Sequence, residues 1–187
     1  MKKIDVLYLE TIEKLKNNQR PLLKLDEEFV FILIEAFENL KLKTNQELEL
    51  ELKKILCLLS HTQNFSLKFL KYFKEICENK LKFKLTDDLI IYYLTASEKQ
   101  IISPFLKEGH PLPEFYVLYL KSLLKHSNPE VLEWTLRTIS STGPFTKLFK
   151  IEIRNLKPKL HLIFNKHQRW AFEIIDFLEK EWKHLNL

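Results

Sequence analysis

The sequence predicts an all-α protein, and three observations carry that expectation. Glycine occurs only twice in 187 residues, at Gly109 and Gly143, against an ordinary share of about 7%, and hairpins and phosphate loops depend on the positive φ it supplies. Apolar residues recur three and four positions apart along most of the chain, the spacing of one helix face. Ser, Thr, Asn or Asp stands where several of those stripes begin, as helix N-caps do.

Taken in order, Asp26, Glu27 and Glu28 precede an unbroken apolar run, Phe29 to Ile34, followed by Ala36, Phe37 and Leu40. The acids ahead of the run and the stripe behind it favour a helix over 26–42. Being apolar on most sides, it is expected between neighbours; a strand over 29–34 is the competing reading. In residues 45–60, Leu48, Leu52, Ile55, Leu56 and Leu59 share a face, and Thr44 with Glu47 forms a capping-box pattern. Residues 66–80 repeat the theme with Phe69, Leu70, Phe73, Ile76 and Cys77 behind Ser66, and Thr86 with Asp87 and Asp88 marks the next start. Ser103-Pro104 and the stretch GHPLP break residues 98–112 into short pieces.

The stretch HSNPEVLEWTLRTISSTGP has both helix ends marked. Asn128 caps, Pro129 takes the first helical position, and Leu132, Thr135, Leu136 and Ile139 form a stripe widened by Val131 and Trp134. Gly143 is expected as a left-handed C-terminal cap, with Pro144 blocking continuation. A further helix is expected over 145–157. In residues 165–184, Ala171, Ile174, Ile175, Leu178 and Trp182 share the last stripe.

Composition excludes several classes. With 45% hydrophobic and 29% charged residues, the chain reads as one globular domain spanning 1–187. No glycine-rich nucleotide loop can be written with two glycines, and HExxH and nucleophile-elbow motifs are absent. Cys57 and Cys77 suggest no disulfide framework. Asp5 and Glu10 interrupt the N-terminal stretch and no run of 18 apolar residues occurs, so a cytoplasmic protein without secretory signal or membrane helix is expected. Cys57 and His61 have an i, i+4 metal-ligand spacing with no third ligand evident, and His161 and His167 lie among lysines; no metal or other cofactor is expected.

Helix pairs would begin near Asp26, Ser66, Ser97, Asn128 and Asn165. The segment SNPEVLEWTLRTI resembles the first helix of a HEAT repeat, with its Asn-Pro start, valine, β-branched residue and inward leucine. Leu132 stands where such repeats often carry arginine. The likeness is sharp from Asn128 to about Leu156 and only suggestive over 26–126. It implies antiparallel helix pairs stacked as a short right-handed α-solenoid, with second helices lining a concave face.

Charge is polarised beneath the net +5. Residues 144–169 carry seven Lys or Arg and one acid, whereas residues 26–51 carry eight acids and two lysines. At 100° per residue, Lys147, Lys150, Arg154 and Lys157 gather opposite Phe145, Leu148, Phe149, Ile153 and Leu156. Lys121 and Lys125 on the preceding helix would extend that stripe. A solvated face is the plainer reading of such a run. The functional expectation is a non-enzymatic adaptor that docks a protein partner, with the opposed charges steering encounter and permitting salt-sensitive self-association. The alternative is nucleic-acid binding along the stripe. The general ingredients are shared with HEAT-like glycosylases for alkylated bases, which also use tryptophans, here Trp134 and Trp170; no aromatic–carboxylate motif of that family is matched, so no catalytic residue is assigned.

Overall fold

The computed structural model describes residues 3–78, 84–156 and 165–184. Among them the secondary structure is helical, with one isolated parallel bridge between Leu23 and Thr62 and no strand. The strand alternative at 29–34 is therefore set aside. The chain divides into two compact units, Met1–Pro104 and Phe105–Leu187.

The first unit contains α1 (Lys3–Lys16), α2 (Glu27–Asn39), α3 (Asn45–Ser60), α4 (Leu70–Cys77) and α5 (Asp87–Ser97), with α6 (Ser103–Lys107) at its boundary. Local chemistry sets the starts. Asp26 Oδ1 accepts the Phe29 N–H at 2.8 Å. Glu47 Oε2 accepts both the N–H and the hydroxyl of Thr44, at 3.2 and 2.8 Å. Thr86 departs from expectation: its side chain makes no cap bond, and its hydroxyl donates to Glu49 at 3.0 Å, tying the start of α5 to α3.

Leu48, Leu52, Ile55, Leu56 and Leu59 of α3 are buried together with Phe69, Phe73, Leu89, Tyr93 and Leu94. In α2 the buried residues are Phe29, Val30, Leu33 and Phe37, whereas Phe31 is 66% exposed. The apolar run is thus not covered all round, because at 100° per residue Phe31 falls on the side away from the other four.

Side-chain contacts rise in step along alternate helices. Glu49, Lys53 and Leu59 of α3 meet Thr86, Asp88 and Gln100 in turn. The end of α2 and the turn after it pack on α4 and the turn before it: Phe37 stacks on Tyr72 at 4.5 Å and meets Phe69, Glu38 accepts from Tyr72, and Lys41 pairs with Glu75. In the first set both strings ascend, so α3 runs with α5.

A π-helical turn, Glu98–Ile102, follows α5. Its carbonyl at Glu98 accepts both the N–H and the hydroxyl of Ser103. Gln100 is buried there and staples the turn to the loop after α3: its amide donates to Thr62 Oγ1 at 2.8 Å and Leu59 O at 3.3 Å, while its carbonyl accepts from Ser66 N.

The second unit contains α7 (Glu114–Leu123), α8 (Pro129–Ser140), α9 (Lys150–Leu156) and α10 (Lys166–His184). Asn128 Oδ1 accepts the Glu130 N–H at 2.8 Å with Pro129 in the first turn. Gly143 adopts φ +58°, a conformation that favours glycine, and turns the chain out of α8. The single helix expected over 145–157 is two pieces: a 3₁₀ segment, Gly143–Phe149, runs into α9. At α10, Asn165 and Gln168 cap each other, side chain to backbone in both directions.

Val131, Leu136, Ile139, Phe149, Ile153, Ala171, Ile175, Leu178 and Trp182 form the buried core of this unit. Glu133, Arg137 and Thr146 meet His167, Trp170 and Trp182 in order, so α8 and α10 also run the same way.

Candidate interaction surface of the C-terminal unit

The six sequence-predicted basic residues do not behave alike. Lys121 Nζ lies 2.8 Å from Glu152 Oε1, joining α7 to α9. Burial pushes the Glu152 carboxyl up, but the Lys121 hydrogen bond, a backbone hydrogen bond and the charges of Lys121 and Lys125 together outweigh it and hold the group below its ordinary value. One acid thus offsets positive charge at two of the expected positions. Lys150 is half-buried, its ammonium 5.9 Å from the centre of the Trp182 ring. Lys147 and Arg154 are exposed with no ion pair among the described residues. Lys157 lies outside the described residues.

The 3₁₀ segment advances about 120° per residue rather than 100°, which displaces the residues before Lys150 from the angular order expected of one α-helix. Leu148, expected on the apolar side, is 41% exposed, and Ile151 of α9 is 75% exposed. Lys147, Leu148, Ile151 and Arg154 therefore form an outward group in which two aliphatic side chains sit between two cations. Ile151 could have been suspected from the sequence. It falls between Lys147 and Arg154 along the stripe and away from Phe149 and Ile153, which are buried.

A second constellation lies between α8 and α10. Glu133 is only 3% exposed, and both carboxylate oxygens are engaged. Arg137 Nε donates to Oε1 at 2.6 Å, and His167 Nδ1 meets Oε2 at 2.7 Å. The Arg137 guanidinium stands 5.9 Å from the Trp134 ring and 5.8 Å from the Trp170 ring, within cation–π range. Lys166 Nζ is 5.7 Å from Trp170, and His167 meets that ring edge-on. Both tryptophans are half-buried rather than core residues, whereas Trp182 is buried and its indole donates to Thr146 Oγ1 at 2.9 Å. Sequence periodicity missed Glu133 because a carboxylate on the buried face of a stripe has no apolar signature; its i, i+4 spacing to Arg137 was the available signal.

Among the described residues no three His, Cys, Asp or Glu side chains gather as a metal site. Cys57 and His61 do not converge with a third ligand, and His161 lies outside the described residues. No helix among the described residues is long and apolar enough to cross a membrane. Compared with models of known families, with curated proteins and with solved structures, the chain matches none.

Proposed function

We propose that this chain is a non-enzymatic protein-binding adaptor whose second unit docks an acidic amphipathic helix of its partner on the outward group of Lys147, Leu148, Ile151 and Arg154. The observation that carries the reading is Ile151, 75% exposed between two cations that have no ion pair among the described residues. A phosphate backbone gains little from two aliphatic side chains at the centre of its contact. A helix with an apolar anchor and flanking acids uses all four, the anchor excluding water and the charges guiding encounter. Helices running the same way at alternate positions, α3 with α5 and α8 with α10, support a solenoid-like stacking of helix pairs within each unit, a HEAT-like architecture that presents helix faces to partners.

A photo-crosslinking amino acid at position 151 tests this reading, with position 180 on the exposed part of α10 as control. A defined protein adduct at 151, absent at 180 and lost when Lys147→Glu is combined with Arg154→Glu, is the expected result. Equal labelling at both positions, or adducts indifferent to the charge reversal, removes the proposed face.

The second reading, nucleic-acid binding, draws on the half-buried Trp134 and Trp170 around Arg137 with Lys166 beside them, since aromatic rings and cations are what single strands stack on. Base-excision chemistry would need a carboxylate facing its ligand, and both oxygens of Glu133 are engaged within the protein. This reading therefore stops at binding. Anisotropy of labelled oligonucleotides over a salt series decides it. Each phosphate contact should contribute a log–log slope of roughly −0.7 to −0.9, and Arg137→Ala should weaken binding more than Lys147→Ala does.

A further inference from the structure

We propose that a cleft in the first unit, bordered by Arg20, His61 and Lys99, is a binding site for a small phosphorylated molecule carrying an apolar or planar group. Its larger hollow lies where the end of α3, α5 and the π-helical turn come together and has a volume of about 380 Å³, within the roughly 300–1,000 Å³ of small-ligand sites. Ser60, His61 and Lys99 are shared with a neighbouring hollow of about 240 Å³ that Arg20, Pro21 and Leu22 close from the other side. The two hollows thus meet at His61 and Lys99.

The walls are chemically divided. Lys99 and His61 stand at the junction and Arg20 closes the smaller hollow, while Ile91 and Tyr92 line the larger one with apolar surface. Glu98 is the one acid on that wall. Neither Arg20 nor Lys99 has an ion pair among the described residues, and the His61 imidazole has no hydrogen-bond partner there. Cations that line a pocket without an acidic partner suit a phosphate oxygen. Arg supplies a planar fork and Lys a point charge for it.

The loop that carries His61 is held rather than loose. Leu23 N donates to His61 O at 3.0 Å and Gln63 N donates to Leu23 O at 2.8 Å. Asn64 exchanges two hydrogen bonds with the backbone of Leu25, at 2.8 and 2.9 Å. Buried Gln100 bonds the same loop to the π-helical turn. π-Helical turns recur at functional sites because they widen and re-aim a helix. Here the turn places Lys99 on the cleft while Gln100 points inward.

Burial, with Arg20 adding to it, holds the His61 pKa below its ordinary value, so near neutral pH the free protein carries a neutral ring that still donates one N–H. A bound phosphate offsets the charge of Arg20 and so favours proton uptake by His61.

The test uses the full chain and histidine ring signals in NMR, the His61 signal being assigned by its loss in His61→Gln. Adenosine 5′-monophosphate, inorganic phosphate and adenosine are titrated separately. The nucleotide should shift the His61 signal saturably, phosphate should do so more weakly, and adenosine should not at matched concentration. Arg20→Ala and Lys99→Ala should each weaken the nucleotide about tenfold, as loss of one charged hydrogen bond implies. Three results would each overturn the site: no His61 shift with nucleotide or phosphate up to about 10 mM, tenfold above a 1 mM Kd; equal shifts of all histidines, which signify bulk ionic effects; or unchanged affinity in both variants.

Discussion

Nδ1 of His167 lies 2.7 Å from Oε2 of Glu133, and the contact ties the first turn of α10 to the middle of α8. The carboxylate is buried and takes its second partner, Arg137, from its own helix. Removing one partner of a buried charge leaves the remainder undersolvated. His167→Ala should therefore cost roughly 1–3 kcal/mol, and Glu133→Ala a similar amount, with the double variant losing less than the sum because the two act on one interaction. Urea unfolding of the four proteins measures it. Additive losses would mean that the contact contributes nothing of its own. Lys121→Ala is the comparison: its partner Glu152 is more exposed than Glu133, and its effect should be the smaller of the two.

His61 gives the first unit a pH signature with a definite sign. Its folded pKa is held below the ordinary 6.5 by burial and then by Arg20. As pH falls below about 6.5, the unfolded chain takes up the proton before the folded one. Stability attributable to this group is thus fully present above that value. It is lost progressively until the folded pKa is passed. Thermal melts of the wild type and His61→Gln between about pH 5 and 8 isolate the group. The wild type should lose more stability on acidification than the variant, and identical slopes would show that the ring is not desolvated.

The thiols should be nearly inert in the native state. Burial pushes Cys57 up to about 11. Burial also raises Cys77, to about 12, outweighing the opposite effect of its hydrogen bond with Tyr93, whose Oη lies 2.8 Å from the sulfur. Only the thiolate attacks disulfide reagents, so at pH 8 neither cysteine offers a useful fraction of it. Labelling should proceed no faster than local or global opening, and both thiols should react promptly in denaturant. Fast reaction of Cys57 in the native protein would contradict its burial.

The helices were legible where the chain signals both a face and an end. Asn128, Pro129 and Gly143 bracket α8, and the stripe Leu132, Thr135, Leu136 and Ile139 is buried as its spacing requires. Legibility failed where tertiary contacts overrule local pattern. Phe31 sits in an apolar run yet faces outward, because run length does not say how many sides of a helix are covered. Gln100 and Glu133 are polar residues buried by partners that are remote in sequence, Thr62 and His167. The π-helical turn at Glu98–Ile102 and the 3₁₀ segment at Gly143–Phe149 change the angle per residue. The second of these is why a wheel drawn at 100° put Leu148 on the apolar side, although it is 41% exposed.

Phe31 and Ile151 are each exposed beside like charges, acidic at Phe31 and basic at Ile151, and salt-sensitive self-association is expected if those two faces meet between copies. Around exposed Phe31 on α2, Glu27 lies one turn before and Glu35 one turn after, both exposed and without an ion pair among the described residues. On α9, Ile151 stands between Lys147 and Arg154. An acidic aromatic face on one copy thus has the chemistry proposed for the partner of the basic aliphatic face on another. Sedimentation velocity should show association that rises with concentration at low ionic strength. It should fade as the screening length shrinks from about 30 Å at 0.01 M to 10 Å at 0.1 M salt. Charge exchange separates this contact from nonspecific attraction. In the register that sets Glu35 against Arg154 and Glu27 against Lys147, Glu35→Lys should not associate by itself, because its altered α2 opposes Arg154; Arg154→Glu should not either, because its altered α9 opposes Glu35. Mixing the two restores an opposite-charge pair in both combinations of faces, so association should return only in the mixture. If the mixture stays monomeric while the wild type associates, the copies meet through other surfaces.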